Sequence, residues 1–184
     1  MTMFDDANHA EYTTIKKYEG KYALARVLMI LGYVLFPIVG IVAIAASPLS
    51  AFVIWFIALF PLMLSIIVPL TYRYVQIEYE YSIDSGIITF SEIYGRRSRK
   101  QKYEVKISDA IAIAPYRDEY RAAADEADVK YVACSTMSNP DLYYILFEDE
   151  DGRKATIFFD PINKALKLME FYNRKTVVVP VSIG

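Results

Sequence analysis

The chain has 184 residues, 55% of them hydrophobic, and a mean hydropathy of +0.23, yet it carries 20 bases and 22 acids. Such averages hide a partition between an apolar part and an ordinary charged part. A net charge of −2 argues against a nucleic-acid binder, which needs an excess of Lys and Arg over the whole domain. One cysteine, Cys134, cannot close an internal disulfide, and with the single His9 it cannot make a tetrahedral zinc site, so the sequence implies no metal and no other cofactor.

Residues 1–22 read as an N-terminal tail that holds Asp5, Asp6, Glu11 and the histidine. No Asp, Glu, Lys, Arg or His lies between Arg26 and Arg73. At about 1.5 Å per helical residue, residues 27–46 cover the roughly 30 Å hydrocarbon layer of a bilayer. After Ser47-Pro48-Leu49-Ser50 comes a second apolar stretch, 51–72, in which Ser65 and Thr71 are the clearly polar positions and can bond carbonyls of their own helix. Lipid offers no partners to an open backbone, so residues 23–72 predict an α-helical transmembrane hairpin of two antiparallel helices. Lys16, Lys17, Lys21 and Arg26 precede the first span, Arg73 follows the second, and the connecting turn has no base. The positive-inside rule then puts both termini in the cytoplasm of a multi-pass cell-membrane protein. Tyr18, Tyr22, Tyr72 and Tyr74 fall at the cytoplasmic boundary, and Phe52 and Trp55 near the opposite one. Pro37 and Pro61 each remove a helical hydrogen bond near mid-span and predict kinks that shape packing. Gly32 and Gly40 are eight residues apart, so they share a face without making a Gly-x-x-x-Gly motif.

From residue 74 the pattern changes to period-two alternation, as in Val75-Gln76-Ile77-Glu78-Tyr79-Glu80-Tyr81-Ser82-Ile83, which predicts a strand with one buried face. Asp84-Ser85-Gly86 turns the chain into a second strand, 87–94, that ends at Gly95. Further strands are predicted at 103–107, 110–116, 129–135, 142–148 and 154–159, interrupted by an acidic, Ala-rich insertion at 117–128. Asp151-Gly152 signals a tight turn. Asp160 as N-cap and Pro161 at the first helical position open an amphipathic helix of about thirteen residues, with Ile162, Ala165, Leu166, Met169 and Tyr172 on one face. Residues 73–176 thus predict an α+β soluble domain, about seven strands in a bent sheet or partial barrel closed by a C-terminal helix, and 177–184 a C-terminal tail.

The runs Tyr81-Ser82-Ile83-Asp84-Ser85-Gly86-Ile87-Ile88, Ile93-Tyr94-Gly95-Arg96-Arg97 and Val105-Lys106-Ile107-Ser108-Asp109-Ala110-Ile111 resemble the start of bacterial pleckstrin-homology-like (PH-like) domains. That resemblance implies a PH-like β domain set directly after a two-helix membrane hairpin, and it carries no activity over. The 117–128 insertion and the Pro after Ala114 depart from the expected pattern.

The densest charge cluster is Arg96, Arg97, Arg99, Lys100 and Lys102, expected on the loop between the second and third strands of the domain. It is the candidate binding site, with anionic lipid headgroups as ligand, set against a plain solvated hairpin tip. Glu148-Asp149-Glu150-Asp151 departs from calcium-loop spacing and reads as a hairpin turn. Cys134 sits in an apolar run and reads as a buried side chain; Tyr116, Tyr120, Tyr143 and Tyr144 read as strand tyrosines or, alternatively, as an aromatic partner surface. No phosphate-loop, dinucleotide, nucleophile-elbow or His-Glu-x-x-His motif is present, so no catalytic residue is predicted. The expectation is a membrane-anchored, non-catalytic binding or scaffolding module, its partners the bilayer and either anionic headgroups or a membrane protein. The alternative is an accessory subunit of a transport or secretion complex that acts through the kinked hairpin.

Overall fold

The computed structural model describes residues 8–178. They form two units: a β-rich unit made of residues up to 17, 78–93 and 98 onward, and a helical unit made of 18–77 together with 94–97.

In the β-rich unit the described residues build two four-stranded sheets. The first has the order β1 (His9–Ile15), β2 (Ile77–Asp84), β3 (Ile87–Tyr94) and β4 (Ser98–Lys106). The second contains β5 (Ala112–Pro115), β6 (Val129–Ala133), β7 (Tyr143–Glu148) and β8 (Lys154–Phe159), in the order β5-β7-β8-β6. β5, β7 and β8 pair antiparallel, whereas β6 runs parallel to β8. Parallel pairing requires a crossover; here the chain makes it between β6 and β8 by way of β7.

Strand β1 comes from the segment read as tail. Its alternation is short and acidic, but pairing with β2 from His9↔Asp84 to Ile15↔Glu78 buries Ala10 and stacks Tyr12 on Tyr81, with ring centroids 4.8 Å apart. The core between the sheets is aromatic. Tyr81, Phe90 and Phe159 meet at centroid distances of 5.8, 6.2 and 5.7 Å, and Ile83, Ile88, Ile113, Ile145 and Ile157 fill in around them. Edge-to-face rings in such contact add about 1 kcal/mol each beyond their buried area.

The insertion at 117–128 contains a single helical turn, α3 (Arg121–Asp125), once the membrane-length helices α1 (Gly20–Ala45) and α2 (Val53–Tyr72) of the other unit are numbered. Its alanines explain its composition: Ala124 and Ala127 are buried against Tyr144, Leu146 and Phe158 on the second sheet, where a larger residue would push the turn away. Tyr116 Oη donates to Asp125 Oδ1 at 2.9 Å and Tyr144 Oη to the Tyr120 carbonyl at 2.8 Å, which ties the turn down at both ends.

The C-terminal helix α4 (Asn163–Tyr172) has ten residues and buries Ala165, Leu166, Leu168 and Met169, the apolar face that its periodicity predicts. It starts later than predicted because Asp160 is used elsewhere. The residue before α4 is Ile162, with no side-chain cap, while the Asp160 carboxylate accepts the Ser135 amide at 2.6 Å and Asn139 Nδ2 at 2.7 Å. Beyond α4, Val177 makes a parallel bridge to Ile113, so the predicted tail begins as a cap on β5; residues 179–184 lie outside the described residues.

In the helical unit, both helices are long and apolar enough to cross a membrane. The Ser65 and Thr71 hydroxyls bond the Leu62 and Ile67 carbonyls at 2.7 and 2.6 Å, satisfying themselves within α2 as expected. Pro37 lies inside α1, and α2 contains Pro69 as well as Pro61. The helices approach closely at Gly40, where an added Cβ would stand 3.0 Å from Phe56, and Tyr33 is hydrogen-bonded to Thr71 at 2.5 Å.

Asp160→Ala leaves the Ser135 amide without its acceptor. The β-rich unit is expected to lose about 1–3 kcal/mol, read as a lower denaturation midpoint of the full chain in detergent; an unchanged midpoint would refute this role for Asp160.

Candidate binding surface at the basic hairpin

The turn between β3 and β4 is tighter than the sequence suggests. Gly95 and Arg96 are both left-handed, with φ of 58° and 59°, and Arg97 N donates to the Tyr94 carbonyl at 3.2 Å. This is the two-residue turn whose twist matches antiparallel strands. The cluster Arg96, Arg97, Arg99, Lys100 and Lys102 is therefore not one loop: Arg96 and Arg97 occupy the tip, and Arg99, Lys100 and Lys102 are strand residues of β4.

The tip, 94–97, belongs to the helical unit and packs on the polar end of α2. The Gly95 amide donates to the Gln76 carbonyl at 2.8 Å, and the rings of Tyr74 and Tyr94 meet edge-on at 6.2 Å. A Cβ on Gly95 would lie 2.7 Å from Arg73 Cβ and 3.1 Å from its Cα, so the backbone conformation and the space both require glycine. This contact adds Arg96 and Arg97 to the helix-end bases Lys21, Arg26 and Arg73, against which the helical unit has one acid, Glu19. Sequence reading missed Gly95, Gln76 and Arg73 as parts of the site; the one available signal was Gly next to Arg at a strand end.

Along β4 two of the five bases are already engaged. Arg99 pairs with Glu80 of β2, and Lys102 Nζ stands 3.0 Å from Glu92 Oε2 of β3. Glu80 is buried, and that burial pushes its pKa up; Arg99 pulls it back down, and Glu11 pushes it up further. Arg97 and Lys100 are exposed and pair with no carboxylate among the described residues. The cluster thus divides into charges that hold the sheet together and charges that face outward.

The other candidate chemistries resolve into structure. Cys134 is buried and its thiol is pushed up to about 12, mainly by burial, which leaves no thiolate near neutral pH. Asp149 accepts the Arg153 amide and side chain, and the backbone hydrogen bond from Arg153 is the main reason its carboxyl is held below the ordinary range. No group of three or more potential metal ligands occurs among the described residues. Tyr143 and Tyr144 are core residues rather than a partner surface. A groove of about 560 Å³ lies in the β-rich unit, between β4 and the β7–β8 turn. Its wall includes Tyr103, whose ring lies 3.9 Å from that of Tyr131 on β6.

A family model described as a bacterial PH-like domain (DUF6106) matches residues 7–179, a span that takes in β1, both long helices and both sheets. No curated protein and no solved structure matches the chain.

Glu80 is the pH-sensitive member of the surface. With its folded pKa raised, the protonated form favours folding fully below the ordinary glutamate range, and that contribution is lost as pH rises through the folded pKa. Arg99→Gln is expected to cost about 1 kcal/mol at neutral pH, since Arg99 is half exposed. The deficit should shrink as pH falls and vanish in a Glu80→Gln background; thermal unfolding at acidic and neutral pH measures it, and a pH-independent deficit would count against the pairing.

Proposed function

We propose, for a chain that belongs to the bacterial PH-like domain family (DUF6106), a role as a membrane-anchored, non-catalytic binding module at the cytoplasmic face of the cell membrane, with its basic hairpin tip on anionic lipid headgroups. The observation that carries this reading is the Gly95–Arg73 contact, which gathers Arg96 and Arg97 with Lys21, Arg26 and Arg73 at one end of an otherwise uncharged helix pair. Two antiparallel apolar helices with their bases and tyrosines at the same end match the arrangement that the positive-inside rule and interfacial aromatic belts produce. Both termini are then cytoplasmic.

Each base near an anionic surface adds about 1 kcal/mol of attraction. The outward charges Arg97 and Lys100 are the ones to contribute, because Arg99 and Lys102 are engaged with Glu80 and Glu92. The non-catalytic reading draws on the same chemistry: the single thiol is buried and protonated, and the strongest charges are paired within the fold.

An environment-sensitive fluorophore on Ser98→Cys, in a Cys134→Ala background, tests the tip directly in proteoliposomes. A blue shift is expected in phosphatidylglycerol-containing vesicles and not in pure phosphatidylcholine. It should diminish with Arg97→Glu plus Lys100→Glu and at high salt. Identical spectra in the two lipids would overturn the headgroup reading.

A further inference from the structure

Arg26 stands in the second turn of α1, three residues before Met29, the first residue that lines an apolar groove between the two helices, and no acid among the described residues pairs with it. Its Nε donates to Tyr72 Oη at 3.1 Å, and its guanidinium lies 3.8 Å from the centroid of the Tyr18 ring. Two tyrosines thus fix the plane of the group, and no carboxylate among the described residues pairs with its other four N–H donors. A cation held in place at the end of the uncharged run, without a carboxylate partner, is open to an anion.

The groove begins next to it. Arg26, Met29, Tyr33 and Phe36 recur at spacings of three and four, so they follow one face of α1. Met29, Gly32 and Phe36 on that side, and Phe60, Leu64 and Ile67 on α2, line an opening of about 300 Å³. Gly32 lines it beside open space, since a Cβ there would meet nothing within 4 Å, in contrast to Gly40, where a Cβ would stand 3.0 Å from Phe56. From Arg26 to Phe36 the helix rises about 15 Å, a length that suits an extended acyl chain. A basic mouth and an apolar floor in continuity are complementary to one molecule with an anionic head and a hydrocarbon tail.

We propose that the helix pair holds one anionic phospholipid as a built-in ligand, its phosphate on the Arg26 guanidinium and one acyl chain in the groove past Gly32. This rests on the reading that the helices span a bilayer, and it goes beyond that reading by assigning a defined lipid site within the pair, separate from the hairpin tip.

Native mass spectrometry of the full chain, released from detergent after exposure to equal amounts of phosphatidylglycerol and phosphatidylcholine, tests it. One phosphatidylglycerol per chain is expected. Arg26→Gln, which removes the charge, and Gly32→Leu, which fills the groove and suits a helix, should each weaken retention by about tenfold. Lys167→Glu, on the exposed side of α4, should leave it unchanged. Equal retention of the two lipids, retention by Gly32→Leu at the wild-type level, or a lipid-free dimer would overturn the proposal. Alkaline carbonate washing separates the two readings: a chain that stays in the membrane pellet but keeps no lipid sinks this inference alone, whereas a chain that washes off sinks the spanning reading with it.

Discussion

The candidate surface depends on one close approach. Gly95 rests against Arg73 with no room for a side chain, and its amide is bonded to the Gln76 carbonyl. Segments 73–76 and 94–97 meet only because a two-residue turn with both residues left-handed ends β3 and starts β4 without a loop. A longer or looser turn would leave Arg96 and Arg97 as mobile charges on a hairpin end. In this geometry they are part of a fixed basic cluster at one end of the helix pair.

Elsewhere the structure spends its polar groups on holding itself together. Asp160 might have capped α4, yet it bonds Ser135 and Asn139 and so fastens the end of β8 to the segment after β6. Burial and the Asp160 charge both push the Tyr81 hydroxyl up, which keeps it a neutral donor to the Ala133 carbonyl. Arg99 and Lys102 answer Glu80 and Glu92.

The helix pair shows the same economy with a notable exception. Its hydroxyls bond their own carbonyls, its glycine at 40 admits a phenylalanine, and its tyrosine at 33 finds Thr71. Arg26 is held by aromatic and phenolic partners that fix its position without neutralising it. The apolar groove that Gly32 lines begins three residues further along the same helix, at Met29.

The sequence by itself determined the parts governed by local periodicity and by solvent. The uncharged run between Arg26 and Arg73 required two long apolar helices, the Ser85-Gly86 and Gly152 positions adopt the positive φ that their turns demand, and β8 and the buried face of α4 follow their alternation and helical spacing. The resemblance carried by residues 81–111 reached the right family. Tertiary structure alone decided the rest, because it depends on partners far away in the chain. The segment 9–15 becomes β1 only when β2 pairs with it, the alanines at 124 and 127 acquire a purpose only against the second sheet, and Asp160 chooses between a cap and a tether according to where Ser135 arrives. So too for the basic run: five neighbouring charges look equivalent in sequence, and which of them face outward was set by the carboxylates on β2 and β3 and by the fit of Gly95 against Arg73.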